Sequence, residues 1–167
     1  MTSMTSPASY AAIDLGAASG RVVVGQVDDR RVTIEEVHRF PNVAVTVLDE
    51  VLWDVLGLWR GTLEGLARIA VPAASCGGSA STAGGVDYGL LDRDGRLLAN
   101  PHSHRDPRTR GLVEQALGVL PADELYRLTG VQAQPINTLY QLLAARGTTS
   151  LDAASRLLFI PACSLTG

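Results

Sequence analysis

Apolar and polar positions alternate through the first forty residues of the chain, and this period of two predicts three β-strands. The first two strands are expected over residues 10–15 and 21–27, where Ala, Ile, Leu and Val dominate. The third is expected over residues 30–40, with a one-residue slip in its alternation. Asp28 and Asp29 are predicted to form the turn before it, so that the second and third strands pair antiparallel.

Beyond these strands the apolar residues recur at steps of three and four, which predicts an amphipathic helix. Asp54 stands immediately before it and is of a residue type that caps helix N-termini. The apolar face, expected to pack on the core, comprises Leu52, Leu56, Trp59, Leu63, Leu66 and Ala70. The opposite, solvated face comprises Arg60, Glu64 and Arg68.

The second half of the chain is predicted to combine short strands with short helices. Residues 85–101 are expected to form a strand, a turn at residues 92–95 and a returning strand, and residues 156–161 a short buried strand. Helices are predicted to begin after Asp106, Pro121 and Asn137. Together these elements indicate an α/β domain with a mixed sheet and flanking helices.

Composition places the chain among ordinary globular proteins. It has 167 residues, 46% of them hydrophobic and 19% charged, with a formal net charge of −3. We expect one domain over residues 10–167 behind a disordered tail of residues 1–9. Because acidic and basic residues are interspersed, we expect no nucleic-acid partner. We also expect no membrane partner, because the chain has no apolar run of about 18 residues and no signal peptide. Cys76 and Cys163 are too few for a disulfide framework, so a cytoplasmic protein is expected.

Lysine is absent, because all fourteen basic residues are arginine. A Walker A phosphate loop requires a lysine after its last glycine, and Schiff-base catalysis requires a lysine amine. Both kinds of chemistry are therefore excluded for this chain.

The bend between the first two strands is the strongest candidate site. Residues 16–20 form a connection of small residues that is longer than a simple hairpin requires. One interpretation is a decorated hairpin. In the other, exposed N–H groups from Ala17 to Gly20 bind phosphate, Asp14 holds a hydrated metal ion or a phosphate-facing water, and Arg21 adds a donor.

Other chemically capable residues carry weaker signals. His102 and His104 alternate as two ligands on one strand face would, but no carboxylate or cysteine stands at ligand spacing, so we predict no direct metal site. Cys76, within a Gly/Ser/Ala segment, is interpreted as an unreactive thiol. Trp53 and Trp59 are expected to be core and helix-anchoring residues.

Seven stretches, in order, resemble the FGGY carbohydrate kinase family, and within it the bacterial kinases that act on L-rhamnulose. They are "AIDLGAASGRVVVGQV", "VHRFPN", "LWDV", "GVDYGLLDRDGRLLANP", "HRDPRT", "LTGVQAQPINTLYQL" and "LLFIP". The resemblance implies a ribonuclease H-like fold, as in actin-like ATPases, with two such domains flanking a cleft. It also implies that this chain is an incomplete N-terminal domain.

The resemblance further implies phosphate transfer from ATP, with Mg²⁺, to the 1-hydroxyl of L-rhamnulose. The sugar would contact Gly85, and the family's catalytic base is an Asp beyond residue 167, so the chain alone is expected to be inactive. The implied ATP-binding residues are Ala17, Ala18, Ser19, Gly20 and Arg21. Alternatives left open are a kinase for another ketose, xylulose or fuculose, and a non-catalytic actin-like fragment.

One segment departs from the family pattern. "SCGGSASTAGGVDY" stands where the family has an apolar strand of the type "VGVDTWGVDY". A Gly/Ser/Ala run has poor strand propensity, so the strand is expected to be lost and Gly85 displaced. A hypothesis that explains the departure is a pair of compensating frameshifts within residues 74–84.

Overall fold

The computed structural model describes residues 8–69 and 76–160, which divide into two compact units. The first unit contains residues 8–43, 54–69 and 76–84; the second contains residues 44–53 and 85–160. In chain order the elements are β1 (Ala8–Leu15), β2 (Ser19–Val27), β3 (Val32–Pro41), β4 (Val45–Val47), β5 (Glu50–Leu52), α1 (Val55–Ala67), β6 (Cys76–Ala83), β7 (Tyr88–Leu91), a 3₁₀ turn (Pro107–Thr109), α2 (Leu112–Leu117), α3 (Ala122–Thr129), α4 (Thr138–Ala145), α5 (Thr149–Ala153) and β8 (Arg156–Phe159). The single domain expected over residues 10–167 stays a prediction.

The first unit is built on a four-stranded sheet in the order β3-β2-β1-β6. β1, β2 and β3 pair antiparallel, as predicted, and Asp28 Oδ1 accepts the backbone N–H groups of Arg30 and Arg31 in the turn before β3. β1 begins at Ala8, two residues before the predicted domain boundary. Residues 1–7 of the predicted tail lie outside the described residues.

The slip in the alternation of β3 is a β-bulge. Val22 pairs with His38, whereas the next residue, Val23, pairs with Glu36, so Val37 has no partner across the ladder. One extra residue on one strand of an antiparallel pair defines a bulge and bends that strand. The sequence pattern therefore located this irregularity correctly.

The predicted apolar face of α1 is wrong at three positions, although Leu66 packs against the core as expected. Asp54 caps the helix as expected, since its Oδ1 accepts the N–H of Gly57 at 2.9 Å. However, Leu56, Trp59 and Leu63 are exposed by 77%, 38% and 47%. The residues that are buried instead are Leu58, Gly61, Thr62 and Gly65. Ala70, assigned to the same apolar face, lies outside the described residues.

Glycines explain this orientation, because they let the helix approach the sheet closely. A Cβ on Gly61 would lie 2.5 Å from Cδ2 of Phe40, and one on Gly65 would overlap Cγ2 of Val22. Close packing of this kind favours small residues over large apolar ones at the contact. The core between the helix and the sheet comprises Ile13, Leu15, Val22, Phe40 and, from α1 itself, Leu58.

The expected loss of the strand after α1 is also wrong. The Gly/Ser/Ala segment forms β6, parallel to β1, with Ala11 beside Ser79 and Leu15 beside Ala83. Most of β6 is exposed at the edge of the described sheet, so its small side chains bury little, and the ladder with β1 outweighs their low strand propensity. Residues 74–75 of the proposed frameshift interval lie outside the described residues.

The second unit contains two small antiparallel sheets, β4 with β5 and β7 with β8. The returning strand predicted after the turn at residues 92–95 is reduced to a single bridge between Leu91 and Leu97. Its place beside β7 is taken by β8, which is only partly buried, with Arg156 and Phe159 exposed. The prediction of a buried final strand is therefore wrong.

Of the three helices predicted in this unit, those after Pro121 and Asn137 form, whereas Asp106 is followed by only a short 3₁₀ turn. The Asp106 carboxylate caps the 3₁₀ turn by accepting the N–H of Arg108, and α3 follows Pro121. α4 follows Asn137, but that side chain donates to the carbonyl of Gln132 instead of capping the helix. α2, α5 and the β4–β5 hairpin are not predicted by the sequence. Within the two described stretches, no helix is long and apolar enough to cross a membrane.

Candidate functional site

The bend between β1 and β2 is shorter than the sequence predicts. β2 begins at Ser19, and Gly20 pairs with Leu15, so only residues 16–18 connect the strands. The N–H of Gly16 donates to the carbonyl of Ser19 at 3.0 Å and closes the turn. The predicted connection of residues 16–20 is thus a three-residue turn followed by strand.

Asn42, which the sequence prediction missed, holds this turn from the end of β3. Its Nδ2 donates to the carbonyl of Gly16 at 2.7 Å, and its own N–H donates to the carbonyl of Ala18 at 3.1 Å. Asn42 is buried, and its Oδ1 has no hydrogen-bond partner among the described residues. Side chains of Asn commonly bond nearby backbone, but no local pattern indicates a bond to a turn 26 residues earlier.

Two consecutive backbone amides remain available at this turn. Ala17 and Ala18 are exposed, and within residues 8–69 and 76–160 their N–H groups donate no hydrogen bond. Adjacent free N–H groups form a concave anion site, so these two fit a phosphate group. Gly20 differs, because it is buried in β2 and a Cβ there would overlap the ring of Phe40.

Asp14 and Arg21, predicted to face a metal ion and an anion, bind each other. Oδ2 of Asp14 accepts Nε of Arg21 at 2.7 Å and Nη2 at 2.6 Å. The two residues stand directly opposite in the β1–β2 ladder, which brings the side chains together. A ligand that binds Oδ2 of Asp14, or Nε and Nη2 of Arg21, must displace this pair.

A second arginine reaches the turn and was not singled out by the sequence. Nη1 of Arg39 donates to Oγ of Ser19 at 3.0 Å, while its Nε and Nη2 bind Glu36 at 2.9 and 2.5 Å. Hydrogen bonding from Arg39 lowers the pKa of Glu36, and the same bonds raise the pKa of Arg39. The guanidinium is thus held beside Ser19 in its charged form.

A metal ion has few ligands near this turn. Among the described residues, no three His, Cys, Asp or Glu side chains lie close enough to hold one ion. The Asp14 carboxylate, 34% exposed, is a single possible partner and fits a hydrated ion brought by a phosphate ligand.

The second unit centres on Asp87, a buried carboxylate that the sequence did not single out for function. Its Oδ2 accepts Nε1 of Trp53 at 2.9 Å and lies 2.7 Å from Nδ1 of His104, while Oδ1 accepts Nε2 of Gln141 at 2.9 Å. A carboxylate only accepts, so the His104 proton is placed on Nδ1. These bonds satisfy a charge that is 3% exposed.

The segment that begins with Gly85 is anchored by α4. Oγ1 of Thr138 and Nε2 of Gln141 both donate to the carbonyl of Val86, at 2.8 and 3.1 Å. Gly85 itself is exposed, and a Cβ there would meet no atom within 4 Å. The stretch "NTLYQL" carries both anchoring residues at a helical spacing of three, which is the signal that could have located them.

The two histidines have different partners, so they do not form a ligand pair. Nε2 of His102 lies 3.1 Å from Oε1 of Glu50, whereas His104 binds Asp87. Trp53 is buried as predicted, but Trp59 is exposed. Cys76 is a free thiol, and Cys163 lies outside the described residues.

No protein-family model matches the chain. A rhamnulokinase of Bacteroides thetaiotaomicron is 36% identical to it over 155 residues, which are 92% of this chain and 32% of that protein. A rhamnulokinase of Pectobacterium atrosepticum is 38% identical over 154 residues, 90% of this chain and 31% of that protein. The crystal structure of gluconate kinase from Lactobacillus acidophilus matches with a TM-score of 0.76 at 17% identity, over 92% of this chain and 32% of that one.

The fold is that of the FGGY sugar kinases, which have the actin-like ATPase architecture, and the match covers their N-terminal domain. By sequence, the chain is a homologue of the rhamnulokinases over about nine tenths of its own length. It spans about a third of the length of these relatives.

Proposed function

We propose that this chain is part of an ATP-dependent kinase that transfers the γ-phosphate of ATP to the 1-hydroxyl of L-rhamnulose in rhamnose catabolism. The observation that carries the proposal is its identity of 36–38% with rhamnulokinases over some 90% of the chain. We assign the phosphate turn and part of the sugar site to this third of the kinase, and identity at this level supports the assignment. ATP as donor favours a cytoplasmic location.

The phosphate-binding residues are assigned to the β1–β2 turn. The free N–H groups of Ala17 and Ala18 donate to phosphate oxygens, and Ser19 adds a hydroxyl that Arg39 orients. Gly20 lets Phe40 pack directly beneath the turn, and Arg21 contributes its charge once Asp14 turns towards the hydrated Mg²⁺. Bound ATP with Mg²⁺ supplies the phosphoryl group, and the turn positions it and neutralises its charge.

The sugar-binding role is assigned to Gly85. Because no side chain covers its backbone and the space around it is open, a sugar hydroxyl can approach closely. Hydrogen bonds from α4 to Val86, and the three partners of Asp87, hold the backbone that follows in one position. A fixed backbone orients a bound hydroxyl, which contributes to catalysis by positioning.

The isolated chain is expected to bind ATP without transferring phosphate, since it spans about a third of its relatives and holds no residue assigned as the general base. Isothermal titration with ATP and Mg²⁺ tests the turn. Ala18→Glu places a carboxylate beside the free amides and should weaken binding by about tenfold or more. Gln26→Glu, which adds the same charge at the exposed far end of β2, is the matched control. Equal affinities in the two variants would exclude the turn as the phosphate site.

The sugar assignment is tested by supplying the missing part. The chain is mixed with the complementary two thirds of the Bacteroides thetaiotaomicron rhamnulokinase, and phosphate transfer to L-rhamnulose, xylulose and L-fuculose is measured. We expect transfer to L-rhamnulose only in the mixture. Preferred transfer to xylulose or L-fuculose would assign the chain to another ketose kinase, and transfer by the chain alone would overturn the predicted inactivity.

A further inference from the structure

The second unit contains a cavity of about 150 Å³ that neither Gly85 nor Asp87 lines. Its walls carry Arg108 from the 3₁₀ turn, Asn100 from the preceding loop and Ser150 from α5. Three separate segments of the chain thus bring polar side chains to one partly open cavity, outside the residues assigned to ATP or sugar.

Arg108 is a half-buried cation that pairs with no carboxylate among the described residues. Its Nη2 donates to the neutral Oε1 of Gln141 at 3.2 Å, whereas its Nε is buried and has no acceptor in the described part of the chain. The nearby acid, Glu50, is on the cavity wall but pairs with His102 at 3.1 Å. Partial burial of an unpaired charge is costly, so this position favours an anionic ligand.

The neutral groups on the wall are also available. Within residues 8–69 and 76–160, the amide of Asn100 and the hydroxyl of Ser150 form no hydrogen bond. Both can donate, and the guanidinium of Arg108 adds N–H donors beyond the one that binds Gln141. We propose that this cavity binds the phosphate group of a small metabolite, with Arg108 as the counter-charge and Asn100 and Ser150 as neutral donors.

Phosphate fits this arrangement better than a carboxylate does. A tetrahedral group accepts hydrogen bonds from several directions, which suits donors that come from three segments, and arginine binds phosphate through paired N–H groups. The phosphate could come from inorganic phosphate or from a phosphorylated sugar. The cavity chemistry is the same for both, so the test titrates each.

Thermal unfolding of the chain is followed while inorganic phosphate is added, with chloride at equal ionic strength as the reference. We expect a saturable rise of Tm with phosphate and none with chloride, because only the folded state binds. Arg108→Gln should weaken the apparent affinity by about tenfold or more. Arg105→Gln, which removes an exposed arginine three residues away, should leave it unchanged.

Ser150→Asp provides a test that does not depend on how well Arg108→Gln folds. The new carboxylate would pair with Arg108 inside the cavity, so the response to phosphate should be lost while Tm without phosphate stays the same or rises. Fructose 1-phosphate then distinguishes the sources: tighter binding than inorganic phosphate identifies a phosphorylated sugar, and equal binding the free ion. The proposal is overturned if phosphate does not raise the Tm of the unmodified chain. It is also overturned if phosphate raises the Tm of Arg108→Gln and Ser150→Asp as much as that of the unmodified chain.

Discussion

The carboxylate of Asp14 and the guanidinium of Arg21 face each other across the β1–β2 ladder, with Oδ2 of Asp14 2.6 Å from Nη2 of Arg21. Both side chains are partly exposed, at 34% and 46%. The pair therefore keeps two candidate ligand-binding groups of the phosphate turn occupied with one another, and a ligand must compete with an ion pair that is only weakly stabilising.

A double-mutant cycle measures that competition. Asp14→Asn, Arg21→Gln and the double variant should show a coupling of about 0.5 kcal/mol in the free energy of unfolding, because exposed ion pairs contribute little. Urea denaturation provides the values. A coupling above about 2 kcal/mol would mean that the pair is too strong to open for a phosphate ligand.

The close approach of α1 to the sheet makes Gly65 intolerant of a larger residue. Gly65→Ala places a Cβ against the buried side chain of Val22 and should lower the free energy of unfolding by about 1–3 kcal/mol, although alanine by itself favours a helix by about 1 kcal/mol. Urea denaturation of Gly65→Ala is compared with that of Gly25→Ala, where a Cβ meets no atom within 4 Å. A stabilised Gly65→Ala variant would show that the helix lies farther from the sheet.

Asp87 should be the most sensitive polar position of the second unit. Asp87→Asn replaces one carboxylate oxygen by an NH2 donor, which then faces either Gln141 or the pair Trp53 and His104. The change should cost about 3 kcal/mol because a buried charge and at least one hydrogen bond are lost. Asp94→Asn, at an exposed turn position, removes one carboxylate as a control and should change stability by less than about 0.5 kcal/mol. Chemical denaturation gives the free energy of unfolding of both variants. Similar losses of stability in the two would contradict the buried hydrogen-bond network of Asp87.

Stability should fall at alkaline pH because of Tyr88. Burial raises the pKa of Tyr88 above its ordinary value of 10.0, and the Arg108 charge opposes this only in part. Between the unfolded and the folded pKa the native state holds a proton that the unfolded state has lost, so the free energy of unfolding decreases as pH rises above about 10. Below about pH 10 Tyr88 keeps its proton in both states, so its titration does not lower the free energy of unfolding there.

Urea unfolding between pH 7 and 11 tests this expectation. Tyr88→Phe should be less stable at pH 7 by about 1 kcal/mol, since the hydrogen bond to the Gln141 carbonyl is lost, but its stability should fall less steeply above pH 10. Tyr126→Phe, at a tyrosine that is 55% exposed, controls for the loss of a phenol. Parallel profiles for the unmodified chain and Tyr88→Phe would disprove the assignment.

Local pattern by itself determined several elements, most of them in the first unit. Alternation located β1, β2 and β3, including the bulge at Val37, because side chains on a strand repeat every two residues. Asp54 and Pro121 marked helix starts, because capping and proline geometry act over a few residues. The order of motifs also indicated the kinase family, which the comparison with rhamnulokinases bears out.

Tertiary structure decided which faces meet and which polar groups find each other. The buried face of α1 combines Leu58 with Gly61 and Gly65, since the short distance to Phe40 and Val22 sets the packing. β6 forms because β1 offers it a ladder, although its own residues disfavour a strand. Asn42 reaches Gly16 from 26 residues away. Contacts of this kind depend on where the folded backbone places distant segments, which no local sequence pattern encodes.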